Sequence, residues 1–259
     1  MIGESGERMR WILLGSLLLA ALPALAQPVR VAVAANFLGP LEQIAEAYAE
    51  QGGPALRISA GATGQHYAQI INGAPFDVFL AADQARPARL VAEGHALADS
   101  RMTYALGRLV LWAGPGLNLP ADGLAGLAEE SVRRLAIANP ELAPYGLAAQ
   151  QALQATGQYA PLADRIIQAR SVGQAFQYLA TGNVSHALVA ASYTRFGSRP
   201  QGPWRLVDEQ LYAPIRQDAV ILEEALNPAG ARDFMAFMQG PIARDILDRF
   251  GYRAPMRQP

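Results

Sequence analysis

The sequence contains no cysteine, which excludes both disulfide bonds and a metal site built from thiolates. A hydrophobic core must therefore supply the stability of the fold. Lysine is absent as well, because all 21 basic residues are arginine. Chemistry that depends on a lysine, such as a Schiff base or a P-loop, is excluded with it. We attribute this arginine usage to genomic base composition rather than to function.

An excess of charge of either sign is also missing. The chain has 259 residues, of which 51% are hydrophobic and 17% charged, and its formal net charge is −1. A basic excess that would attract nucleic acid is absent, and so is an acidic tail that would attract a basic partner. The length is sufficient for one large or two smaller α/β domains.

Common catalytic motifs are missing from the sequence. It has no G-x-S-x-G elbow, no H-E-x-x-H pair and no G-x-G-x-x-G after a strand. The three histidines, His66, His95 and His186, are isolated from one another along the chain. We therefore predict a protein that is not an enzyme and needs no cofactor, although a secreted α/β enzyme stays as an alternative.

The amino terminus has the pattern of a secretory signal peptide. Arg8 and Arg10 precede the mostly apolar run Trp11–Leu25, and the small residues up to Ala26 fit a cleavage site. The run is shorter than the ~20 residues of a membrane span, so a permanent anchor is the less favoured alternative. We predict a signal peptide over residues 1–26, with Met9 as an alternative start, and a mature chain that works outside the cytoplasm.

In the mature chain, apolar strand-like runs repeatedly switch to helix-like runs through turns of small or polar residues. Such alternation predicts parallel sheets with helical crossovers. Ligands of open α/β sheets bind at the carboxyl ends of the strands, where these turns lie. The turns contain Asn36, Thr63, Tyr145 and Val172.

Two extended runs, near Arg108 and near Ala219, predict crossings between two lobes with a cleft between them. Residues 27–108 and 215–259 are assigned to the first lobe, and residues 109–214 to the second. The segment 198–216, rich in proline, glycine and aromatic residues, is predicted to be a loop.

The turn Gly61–Gly64 has the composition of an anion site. Backbone N–H groups at the start of a helix lack acceptors within the helix, and the helix dipole favours negative charge there. A turn that only joins a strand to a helix is the simpler alternative. For Asn36, helix capping is a similar alternative to a role in binding.

Five strings, spread over nearly the whole mature chain, resemble the periplasmic molybdate-binding proteins of ABC transporters. They are Ala-Val-Ala-Ala-Asn-Phe at 32–37, Gly-Ala-Thr-Gly-Gln at 61–65, Asn-Gly-Ala-Pro-Phe-Asp-Val-Phe at 72–79, Ala-Asn-Pro at 138–140 with Ala-Pro-Tyr-Gly at 143–146, and Ser-Val-Gly-Gln-Ala at 171–175. The resemblance implies a two-lobed type II periplasmic binding protein fold. Each lobe is expected to be a mainly parallel sheet flanked by helices, with two crossover strands joining the lobes.

The resemblance also implies a ligand, a partner and a set of site residues. The ligand would be molybdate or tungstate, held through its oxygens without direct metal ligands, and the partner would be a permease at the inner membrane. A monomer is expected. The implied site consists of Ala35, Asn36, Thr63, Tyr145 and Val172.

Within that set, Asn36 matches a side-chain and backbone donor, and Thr63 matches a position that is commonly serine. Tyr145 and Val172 match positions that donate through backbone N–H, so their side chains are expected to matter little. Ala35 stands where some members carry a hydroxyl. Ala190 stands where some members carry a tyrosine that binds the anion, although one branch of the family lacks it.

The implied site contains donors and no evident acceptor. Molybdate carries no proton at neutral pH, so a pocket of neutral donors suits it, whereas protonated phosphate requires an acceptor. Neutral dipoles can stabilise a dianion without the cost of burying an arginine. Sulfate is also unprotonated, and a sulfate or other oxyanion-binding protein therefore stays as the alternative in the same class.

Overall fold

The computed structural model describes residues 27–128, 132–195 and 201–253. The predicted signal peptide, residues 1–26, lies outside the described residues. Within the described ranges, none of the helices combines the length and apolar character that crossing a membrane requires.

Strands and helices alternate along most of the chain. The strands are β1 Val29–Ala34, β2 Leu56–Gly61, β3 Val78–Leu80, β4 Met102–Gly107, β5 Leu109–Ala113, β6 Leu135–Ala138, β7 Ile166–Ala169, β8 His186–Ala190, β9 Trp204–Leu206 and β10 Ile215–Ile221. The helices are α1 Leu38–Glu50, α2 Thr63–Ile71, α3 Ala85–Ala92, α4 Pro144–Ala155, α5 Val172–Ala180, α6 Pro228–Met238 and α7 Pro241–Arg249.

The strands form two five-stranded sheets. The first has the order β2-β1-β3-β10-β4, and the second has the order β7-β6-β8-β5-β9. In the first sheet β1 is parallel to β2 and β3, and only β10 runs against its neighbours. In the second, β6 is parallel to β7 and β8, and only β5 runs against its neighbours. The predicted fold of two mainly parallel sheets is confirmed.

Burial follows the position of each strand in its sheet. Central β1 is almost entirely buried, as expected for a strand covered on both faces, whereas the edge strand β2 is partly exposed. Helix α1 buries Leu41, Ile44 and Tyr48, which share one face, and Pro40 lies in its first turn where a missing N–H costs nothing.

The predicted crossing near Arg108 is present, but it consists of two strands. Strand β4 ends at Gly107 in the first sheet, and β5 begins at Leu109 in the second. The prediction of a loop over 198–216 is wrong at Trp204–Leu206, which pairs with β5 as an edge strand, and at Ile215 and Arg216, where β10 begins. Residues 198–200 of that prediction lie outside the described residues. All three residues of β9 are exposed, so no alternation of buried and exposed residues marks it in the sequence.

Candidate functional site

Each predicted site residue follows the carboxyl end of a parallel strand. Ala35 and Asn36 follow β1, and Thr63 follows β2, the neighbour of β1. Tyr145 follows β6 after a short loop, and Val172 follows β7, the neighbour of β6. The set therefore falls into two pairs of adjacent turns, and each pair lies at the carboxyl ends of the strands of one sheet.

The first turn is a short 3-10 helix, Ala35–Phe37, which leads directly into α1. Asn36 is 1% exposed, and its Nδ2 donates to Oε1 of Gln217 and to the hydroxyl of Tyr252, both at 2.9 Å. Its Oδ1 is buried without a hydrogen-bond partner among the described residues. Because Nδ2 is engaged inside the protein, the backbone N–H of Asn36 is the simpler donor for an anion.

Thr63 is the first residue of α2, and its backbone N–H therefore has no acceptor within the helix. The side chain is 1% exposed, and its Oγ1 accepts a hydrogen bond from the Ala82 N–H at 3.1 Å. The hydroxyl hydrogen is not used in this contact. Thr63 can thus offer two donors at one turn, and Gln65 fixes the turn by accepting from the Ala62 N–H at 3.2 Å.

Tyr145 lies in the first turn of α4, which begins at Pro144. The turn lies directly against the end of β6, because a Cβ on Gly146 would be 2.3 Å from the carbonyl oxygen of Ala138. The Tyr145 side chain is fully buried, and its hydroxyl accepts from Nε2 of Gln217 at 3.4 Å. The side chain is thus part of the contact with β10, and the backbone N–H is the group left at the helix start.

Val172 begins α5, and Ser171 caps the helix by accepting from the Gln174 N–H at 3.2 Å. The Val172 side chain is 4% exposed and belongs to the core of the second sheet. As in α2, the N–H of the first helical residue has no acceptor within the helix.

The turns of the two sheets meet. The Gly64 N–H donates to the Leu142 carbonyl at 2.8 Å, which joins the start of α2 to the loop before α4. A Cβ on Gly173 in α5 would lie 3.2 Å from the Cβ of Ala35. Ala62, beside Thr63, is buried in the core cluster of the second sheet. The structure therefore has the two lobes in contact at the turns that carry the predicted donors.

The predicted donors themselves are neutral, although the guanidinium of Arg86, which is paired with Asp83, lies beside the start of α2. Burial raises the pKa of the Tyr145 and Tyr193 hydroxyls well above the ordinary value, and it raises the pKa of Tyr252 to about 12. These hydroxyls therefore remain protonated donors at physiological pH. Among the described residues, no group of three or more histidine, aspartate or glutamate side chains could hold a metal ion.

Sequence reasoning missed the polar side chains that support the turns. Gln217 is fully buried in β10, but it stands between Arg216 and Asp218, so no apolar run marks it as buried. The hydroxyls of Ser192, Tyr193 and Tyr252 contact the first turn from distant parts of the chain. No local pattern marks these three residues, because their roles depend on tertiary contacts.

Comparisons with known proteins agree with this fold. The family described as bacterial extracellular solute-binding protein matches residues 29–253. The molybdate-binding protein ModA of Azotobacter vinelandii is 42% identical over 242 residues, which cover 93% of this chain and 95% of that protein. The ModA protein of Rhodobacter capsulatus is 39% identical over 232 residues, which cover 90% of each chain.

A solved structure of the Azotobacter vinelandii periplasmic molybdate-binding protein matches with a TM-score of 0.82 and 42% identity. The match covers 88% of this chain and 100% of that one. With its two sheets and facing turns, the chain belongs to the bacterial extracellular solute-binding proteins. Within that family, its similarity to the two ModA proteins extends over nine-tenths of the sequence.

Proposed function

We propose that this chain binds molybdate, and also tungstate, in the periplasm and delivers it to the membrane permease of an ABC transporter. The observation that carries the proposal is the meeting of four turns with neutral donors across two lobes. Relatives at 39% and 42% identity that are named molybdate-binding proteins support the choice of ligand. We further propose that the protein acts as a monomer and has no catalytic activity.

The oxyanion would be held by Ala35, Asn36, Thr63, Tyr145 and Val172 through its oxygens. The backbone N–H groups of the four turns and the Thr63 hydroxyl would donate to it. A dianion without a proton accepts at every oxygen, so donors around it satisfy it. A protonated phosphate would bring a hydrogen that needs an acceptor, and this set offers no carboxylate to accept it.

An anion that contacts the turns of both lobes binds the closed arrangement more tightly than an open one. Because the anion binds the closed arrangement more tightly, it increases the fraction of protein molecules that are closed. A permease that recognises the closed arrangement would receive the loaded protein in preference to the empty one.

Thermal unfolding of residues 27–259 with sodium molybdate, tungstate, sulfate or phosphate tests the proposal. Ligand at about 100 times Kd adds about 2.7 kcal/mol of stability, which corresponds to a rise of roughly 5–10 °C for this chain length. We expect this rise with molybdate and tungstate but not with phosphate. A rise with sulfate and none with molybdate would contradict the proposed ligand.

A further inference from the structure

Tyr193 joins the predicted anion-binding turns of the two lobes. It lies in a short 3-10 helix, Ala191–Arg195, directly after β8, and it is 3% exposed. Its ring stacks on Phe176 of α5 with a centroid distance of 4.5 Å and an interplanar angle of 16°. Its hydroxyl donates to the Ala35 carbonyl at 3.0 Å, and a Cβ on Gly173 would lie 3.3 Å from that hydroxyl.

The contact with Ala35 determines the direction of the next N–H group. The Ala35 carbonyl accepts from the Tyr193 hydroxyl and from the Leu38 N–H, so both of its lone pairs are used. In a planar trans peptide the carbonyl and the following N–H point in opposite directions. When the Ala35 carbonyl is held, the Asn36 N–H is therefore held facing away from Tyr193.

Ser192 acts in the same way on the next peptide group. Its hydroxyl donates to the Asn36 carbonyl at 2.8 Å, and the Tyr252 hydroxyl donates to the same oxygen at 2.8 Å. Two successive peptide groups of the first turn are thus oriented by hydroxyls from the end of β8. None of these hydroxyls carries a charge, so they orient the turn without adding a field that repels an anion.

We propose that Tyr193 and Ser192 are positioning residues that hold the Ala35–Phe37 turn so that the Asn36 N–H points at the bound oxyanion. The inference rests on the proposed function, since it assigns a role at the same site. The Tyr193 ring packs on α5, whereas its hydroxyl is the part that orients the peptide. Removal of the hydroxyl alone separates these two contributions.

The test uses Tyr193→Phe and Ser192→Ala in the mature chain, with Tyr178→Phe as the matched control. Tyr178 is a partly buried tyrosine of α5 that packs against the same core. Molybdate affinity is measured by calorimetry, and the Asn36 backbone amide is followed by 1H–15N NMR with and without molybdate. We expect Tyr193→Phe to weaken binding roughly 3- to 10-fold, the effect of one lost hydrogen bond. We also expect the molybdate-induced shift of the Asn36 amide to decrease in both variants, and the control to match the wild type.

Several outcomes would overturn the inference. Unchanged affinity and an unchanged Asn36 shift in both variants would do so. Weaker binding with an unchanged Asn36 shift would assign the two hydroxyls to general stability instead. If the wild type binds sulfate but not molybdate, the proposed function fails, and the same measurements with sulfate then decide the inference separately. A wild type that binds neither anion overturns both.

Discussion

Arg86 joins the two lobes, and its removal should weaken ligand binding without altering the pocket donors. Its Nη2 donates to the Glu141 carbonyl at 2.6 Å, and its Nη1 pairs with Asp83 of its own lobe. A hydrogen bond to a charged group contributes about 1.5–3 kcal/mol. The Arg86 side chain is 25% exposed, and it would be hydrated again in an open state. We therefore expect its contact with the Glu141 carbonyl to stabilise the closed arrangement by about 1–2 kcal/mol.

The loss of this contact would reduce the population of the closed arrangement. Arg86→Ala should raise the apparent Kd for molybdate about 5- to 30-fold, mainly through faster dissociation. Arg89→Ala is the matched control, since Arg89 is on the same helix, pairs with Glu93 in its own lobe and is 65% exposed. Stopped-flow displacement of molybdate measures the dissociation rate. An Arg86→Ala protein that releases molybdate at the wild-type rate would refute the reasoning.

Three further changes test the site and its support. Thr63→Ala should weaken molybdate binding by about 1–3 kcal/mol through loss of a charge-assisted hydrogen bond. Thr63→Ser keeps the hydroxyl and should bind molybdate nearly as well as the wild type. If calorimetry gives the same affinity for both variants and the wild type, Thr63 is not part of the site. Burial lowers the pKa of His66 below its ordinary value in the folded protein. Below pH ~6.5 the unfolded chain therefore binds more protons than the folded chain, and the free energy of unfolding falls as the pH falls. The fall is at most about 1.4 kcal/mol per pH unit. Urea unfolding at pH 7 and pH 5 should therefore show a larger loss for the wild type than for His66→Gln; an equal loss would contradict this. Gly146→Ala places a Cβ 2.3 Å from the Ala138 carbonyl oxygen and should lower the free energy of unfolding in urea by about 1–3 kcal/mol. Gly114→Ala is the control, because the atom nearest to its added Cβ is 3.4 Å away, and it should destabilise the fold less. Equal costs at the two glycines would argue against the close approach of α4 to β6.

The two-sheet architecture could be predicted because its signals are local. Apolar runs such as Val29–Ala34 are followed by small-residue turns and then by helices, and this order alone implies parallel strands. The turns that carry the predicted donors are recognisable for the same reason. Strand β9 could not be predicted, because it is an exposed edge and buries no face that would give a period of two.

The support of the site could not be predicted, because the contacts are remote in sequence. Asn36 is 181 residues from Gln217 and 216 residues from Tyr252, and Ala35 is 158 residues from Tyr193. An isolated tyrosine or glutamine has no periodic pattern that could mark such a partner. The five ligand-binding residues stay a prediction.

The support of the first turn is itself made of neutral groups, and this matters for a dianion. A buried arginine at the same place would attract the anion, but its desolvation would have to be offset in the empty protein. Hydroxyls and amides avoid that cost. The Gln217 Oε1 accepts from the Tyr104 hydroxyl and from Nδ2 of Asn36, and Nδ2 also donates to the Tyr252 hydroxyl. The dipoles around Asn36 are therefore held by the fold itself, and an anion bound at this turn would meet fixed donors instead of reorganising water. If the predicted residues hold the anion, selection among oxyanions depends on the size and protonation of the ligand.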